Sequence, residues 1–208
     1  MAPEIKEVLM GGVNRSIVYF KEPGVENTEE VIEIAYKRLK EGDIKSVVVA
    51  SSTGETGLKF ARRMARETNL VVVSSHPGQS APGVWRFNLN ILKELESMGC
   101  QVVRHSHILS GLERSISAKF SGVSPTEFLS EALRCLFGCG MKVAIECTIM
   151  AADSGVIPIE KTIAVGGQAR GSECAIVVWP SHCNNFFDFR VLEILAKPFR
   201  RNTEKNKG

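Results

Sequence analysis

The stretch VVVASSTGETGLKFARRM, Val47 to Met64, passes without a break from an apolar run through hydroxyl groups and glycine into an amphipathic segment. Val47–Ala50 reads as a strand covered by helices on both faces of its sheet. Leu58, Ala61, Met64 and Ala65 then recur at helical spacing, with Lys59, Arg62, Arg63 and Arg66 outward. Between the two lie Ser51, Ser52, Thr53, Gly54, Glu55 and Thr56. A strand that ends in hydroxyls and turns at once into a helix sets unpaired amides and the positive end of the helix dipole beside side-chain donors, which suits an anion such as phosphate. Gly54 lets the backbone turn close to it. Glu55 would repel that anion unless it points to solvent or caps the helix. The same residues read equally well as a plain helix cap. The loop lacks the GK[ST] ending of a P-loop and is not GxGxxG.

Outward from this stretch, apolar runs alternate with amphipathic ones, the pattern of an α/β layer fold. SIVYF reads as a first strand, followed by a helix that Asn27 would cap with Glu30 as capping-box acid and that Gly42 stops. NLVVVSS is a further buried strand, NLNILKELESMG a helix begun at Asn88 or Asn90, and QVVRH a strand. Residues 106–122 read either as a short helix or as a lid near a ligand. Ser124, Pro125 and Glu127 match the N-cap, first helical position and capping-box acid of the next helix. KVAIECTIMAA, KTIAVGG and CAIVVWP read as strands and DFRVLEILA as a last helix. The expected fold is therefore α/β, a three-layer α/β/α arrangement around a mostly parallel sheet with an antiparallel addition from the closing strands. One domain spans residues 1–199, with a basic polar tail at 200–208.

Formal net charge is +3, but residues 197–208 carry five basic side chains against Glu204, a net +4, leaving about −1 for the rest. A near-neutral body offers nucleic acid no clustered basic face. No apolar run reaches the roughly 18 residues of a membrane span, and the acidic N-terminus lacks the core of a secretory signal, so a cytoplasmic protein without a membrane partner is expected. Six scattered cysteines contain no CxxC pair and read as mostly buried thiols, with neither a disulfide framework nor a metal site.

Other loops hold candidate ligand contacts. Ser75 and His76 follow a buried strand, although HPG is also an ordinary turn. ECTIMAADSG holds Thr148 and Asp153, small polar groups suited to a sugar or heterocycle edge or to a bland turn. In AVGGQARG, Gly166, Gly167 and Gly171 would allow close backbone approach and Arg170 could pair with a phosphate, whereas a glycine hairpin explains the glycines alone. His105 and His107 would share one strand face without carboxylates to complete a metal site. Trp85, Phe87 and Phe120 suit either an aromatic ligand or the core. No residue announces itself as catalytic.

The stretches SVVVASSTGETGLKFARRM, IAVGGQARGSECAIVV and FFDFRVLEILAKPF resemble the C-terminal α/β domain of pyruvate kinases, in the form of stand-alone proteins that carry this domain without the kinase barrel. The resemblance to the stand-alone form spans almost the whole chain. In the kinases the equivalent loop holds a phosphate of an allosteric sugar bisphosphate, which implies that role for Ser51, Ser52, Thr53, Gly54 and Thr56. The stand-alone relatives bind flavin mononucleotide (FMN), which implies an FMN phosphate on this loop and a flavin ring near Asp153, Gly167 and Arg170. A flavin-dependent oxidoreductase is one expectation and a non-catalytic sensor of a sugar phosphate the alternative; without the barrel, pyruvate kinase activity is not expected. A homo-oligomer follows by the same analogy.

Overall fold

A computed structural model describes residues 12–168 and 170–199; the tail at 200–208 and the first eleven residues lie outside the described residues. In chain order the elements are β1 (Val18–Phe20), α1 (Thr28–Leu39), β2 (Ser46–Ala50), α2 (Glu55–Met64), β3 (Asn69–Ser75), α3 (Leu89–Ser97) and β4 (Gln101–His105). There follow α4 (Gly111–Phe120), α5 (Pro125–Phe137), α6 (Cys139–Asp153), β5 (Thr162–Gly166), β6 (Cys174–Trp179) and β7 (Arg190–Pro198). The strands form one seven-stranded mixed sheet in the order β1-β7-β6-β5-β2-β3-β4. β6 is antiparallel to both β5 and β7, and the other neighbours pair in parallel.

The strands alternate their side chains between two apolar layers. Val47 and Val49 of β2, Val72 of β3 and Ile163 and Val165 of β5 meet α1, α2 and α3. Val48, Val71, Val73 and Ala164 face α6 on the other side. Continuous burial of both faces is why these strands are apolar throughout.

Two segments depart from the sequence expectation. KVAIECTIMAA is helical, the body of α6, where twelve of fifteen residues are buried. A helix covered on nearly every side loses the polar stripe that marks helical periodicity. Conversely, the segment expected as a last helix is β7: Val191 and Leu195 mimic helical spacing, but the chain lies extended between β6 and β1, its first three residues exposed. Asn27 makes no cap bond and instead donates to the Glu22 carbonyl at 2.9 Å. The Ser124–Glu127 capping box and the Asn88 cap are both formed. Residues 106–122 contain α4, none of whose residues is buried.

Helix α6 lies against β5 by backbone contact. A Cβ on Gly166 would sit 2.2 Å from the Gly140 carbonyl oxygen and 2.6 Å from the Ala144 nitrogen. Gly166→Ala should therefore destabilise the protein by about 2 kcal/mol or more in urea unfolding, since backbone atoms would have to move. Gly111→Ala, where a Cβ meets nothing within 4 Å, should stay within about 0.5 kcal/mol of the parent.

Candidate functional site: a cavity at the carboxyl ends of the strands

The carboxyl ends of β2 and β3, the start of α2, the 142–150 stretch of α6, Arg114 of α4, Arg134 of α5 and the loops after β3, β4 and β5 border a cavity of about 630 Å³. This is where ligands collect in open α/β sheets. One wall is the start of α2. The Gly57 amide donates to Ser51 Oγ at 3.2 Å and the Ser51 amide to the Val73 carbonyl at 2.9 Å, tying the helix to the ends of both strands. Gly57 presses on β3, where a Cβ would lie 2.6 Å from Val72 Cγ1. Gly54, at φ +95°, has its Cβ direction filled by Ile91 and Phe87, at 2.7 and 2.8 Å. The Thr53 carbonyl accepts from the Asn88 amide at 3.0 Å. The amides of Glu55 and Thr56, first in the helix, have no acceptor within it. Gly54 is the N-cap residue, and Ser51 Oγ takes the Gly57 amide from outside the helix, with its hydroxyl hydrogen still able to donate. Ser52 and Glu55 are exposed, so the Glu55 carboxylate sits at the solvent side of the wall.

The opposite wall is α6. Lys142 and Glu146, one turn apart and almost fully buried, form an ion pair at 2.5 Å. Glu146 also accepts the Leu109 amide at 2.9 Å, which fastens the turn after β4 to α6. That turn presents His107 and Ser110 to the cavity. His107 Nε2 lies 3.0 Å from Gln79 Nε2. Burial holds the His107 pKa below that of a free imidazole, with Glu146 opposing and Lys142 reinforcing, so the ring is neutral at pH 7. Burial pushes the Cys147 thiol up, which keeps it protonated and unsuited to act as a nucleophile. Val73, Val143 and Met150 supply the apolar lining. Arg86, Arg114, Arg134 and Arg170 also line it, against Glu55 and the internally neutralised Lys142–Glu146 pair, giving the cavity a positive balance.

Of the residues expected from the sequence, Ser51, Ser52, Thr53, Glu55, Thr56, Ser75, Gly167, Arg170 and Gly171 come together on this cavity. Gly54, His76, Thr148, Asp153 and Gly166 do not line it. Gly54 and Gly166 are held by packing against protein atoms. His76 stands edge-on to His107 with ring centroids 6.2 Å apart. Thr148 is fully buried in α6 and donates to the Ala144 carbonyl at 2.8 Å, so it is not on a loop. Asp153 ends α6, about 20 Å from the helix start at 1.5 Å per residue. There it accepts from the Cys183 amide at 3.1 Å and meets His182 Nδ1 at 3.1 Å. The aromatic rings also lie elsewhere: Trp85 stacks on Phe87 at 5.0 Å against the α1–α3 layer, and Phe120 is exposed.

Gly167 and Gly171 border the cavity, but their Cβ directions point at protein: Gly171 O at 2.3 Å and Thr28 Oγ1 at 2.4 Å respectively. These glycines are needed for the tight β5–β6 connection whether or not a ligand is present.

No protein-family model matches the chain. Among the described residues no group of three His, Cys, Asp or Glu side chains could hold a metal ion, and no helix is long and apolar enough to cross a membrane.

Sequence reasoning missed Lys142, Glu146 and Ser110 and gave His107 no place in a ligand site. The first two were concealed by reading α6 as a strand; the length of its apolar run and the four-residue spacing of lysine and glutamate were the available signals.

The β5–β6 connection beside the cavity contains Glu173, fully buried, with Oε2 accepting the Gln168 amide at 3.0 Å and Oε1 without a hydrogen-bond partner. Burial raises its pKa from 4.5 to about 7, opposed by the Gln168 amide and aided by Glu26. Between those two values the folded state keeps a proton that the unfolded state releases, so stability falls as pH rises across this window and stays low above it. Glu173→Gln should flatten that slope in urea titrations from pH 4.5 to 8 and raise stability at pH 8 by about 2–3 kcal/mol.

Proposed function

We propose that this protein binds a phosphate-bearing small molecule, with the phosphate at the first turn of α2 and the remainder of the ligand in the cavity. The observation that carries this reading is the joining of free helix amides and the Ser51–Thr56 hydroxyls to a positively balanced cavity of about 630 Å³. The ligand class favoured is FMN. The 51–56 loop supplies phosphate donors, Ala50 and Val143 are the part-exposed apolar contacts, and Lys142 and Ser110 supply polar contacts beyond them. Arg170 and Gly167 stand on the same cavity, in keeping with the resemblance to flavin-binding stand-alone domains, whereas Asp153 drops out of the expected ring site.

Bound flavin would supply redox chemistry of its own. The residues of this chain bind and orient: Ser51 holds the α2 amides in place, Arg170 adds positive charge, and α6 walls the cavity from the core. A second reading, a sensor that binds a sugar phosphate without turnover, is favoured by one observation. Glu146 has both oxygens engaged and Cys147 keeps its proton, so on the α6 wall neither is poised as a base or nucleophile, and His107 is the titratable ring left to face a ligand.

Protein purified without added ligand should show flavin absorption, or after ligand removal should gain about 2.7 kcal/mol of stability at an FMN concentration of 100 times Kd. Ser51→Ala with Thr53→Ala should abolish that gain and cost about 1 kcal/mol of intrinsic stability through the lost bond to the Gly57 amide. Stabilisation by sugar phosphates but not by FMN would select the sensor. Indifference to FMN, sugar phosphates and inorganic phosphate alike would overturn the reading.

A further inference from the structure

Resting on the phosphate reading above, we infer that the cavity recognises its ligand at a second point, where Lys142 donates to a carbonyl or carboxylate oxygen. Lys142 Nζ carries three N–H donors, and its acceptor among the described residues is Glu146 Oε2. The other Glu146 oxygen is held by the Leu109 amide, so the carboxylate cannot rotate to take a second Lys142 hydrogen through it. The Lys142 side chain is 3% exposed, yet the residue lines the cavity, so its two remaining donors have only the cavity contents to meet. An ammonium group in that position is costly unless an oxygen is supplied, by water in the free protein or by the ligand in the complex.

Charge narrows the class of group received. Lys142 and Glu146 together are neutral, so a second phosphate dianion beside them would face the Glu146 carboxylate. A neutral carbonyl or a single carboxylate takes the lysine hydrogens without that repulsion. Val143, half-buried one residue along the same helix, gives the space beside the pair one apolar contact. The ligand class is therefore a phosphorylated compound that also bears a carbonyl-type oxygen. The flavin ring, with two carbonyls, is one member. A phosphorylated polyol is not.

Calorimetric titration with three probes tests this: FMN, ribitol 5-phosphate, which keeps the phosphate and polyol without the ring, and inorganic phosphate. Lys142→Met should weaken FMN binding about tenfold or more, the loss expected for a hydrogen bond from a charged donor, while changing the other two less than about twofold. If Lys142→Met fails to fold because Glu146 is left buried and unpaired, Lys142→Met with Glu146→Gln provides a neutral pair and should show the same selective loss. The inference is overturned if Lys142→Met leaves FMN binding unchanged, if all three probes weaken together, or if the parent binds phosphate and ribitol 5-phosphate but gains nothing from FMN. A parent that binds none of the three instead overturns the phosphate reading itself.

Discussion

The contact between Gly166 and the first turns of α6 sets the geometry of everything on that side of the sheet. With the Gly140 carbonyl and the Ala144 amide in the space a side chain would occupy, helix and strand meet backbone to backbone. Such an approach leaves α6 no freedom to roll. Its Met141, Ala144, Ile145 and Ile149 pack on Ala164, Ile176 and Val178, and Lys142, Glu146 and Cys147 are thereby brought to the wall of the cavity. The ion pair follows from helical spacing, but its burial follows from this contact.

The two sides of the cavity do different work because their electrostatics differ. The α2 side offers fixed dipoles and hydroxyls, which stabilise an anion without needing a counter-charge nearby. The α6 side offers a charge pair that is neutral overall and rigid, since both Glu146 oxygens are engaged. Arginines from four separate chain segments, Arg86, Arg114, Arg134 and Arg170, add positive potential around this division. None of them is placed by the sheet itself, so their positions depend on the connecting segments.

Those segments are attached unequally. The turn before α4 is held by the Glu146–Leu109 hydrogen bond, and α5 packs on α6 through Leu133, while α4 contributes no buried residue. The β5–β6 connection is constrained instead by steric fit, with Gly171 set against Thr28 and Val25, and the Ser172 amide donating to Thr28 Oγ1 at 3.1 Å. The free energy that positions Arg170 is therefore shared with the start of α1, on the opposite layer of the molecule.

The amino-acid sequence by itself determined the parallel core and the start of α2. Val47–Val49 and Val71–Val73 are buried on both faces, and a run of β-branched residues followed by Ser, Thr and Gly permits few other local structures. Ser51, Ser52, Thr53 and Thr56 were legible as site residues because they are neighbours in the chain at the end of a strand. What only the tertiary structure decided was everything that depends on contacts between distant segments. α6 is buried on nearly all sides, so its sequence carries no amphipathic period to separate it from a strand. β7 is extended because β1 and β6 take up its hydrogen bonds, although its apolar spacing also fits a helix. Gly166 and Asp153 could not be recognised as scaffold, because the first is filled by backbone at the start of α6 and the second is carried to the far end of that helix. Local sequence encodes backbone preference and burial; the partner that fills a given space is set by packing across the sheet.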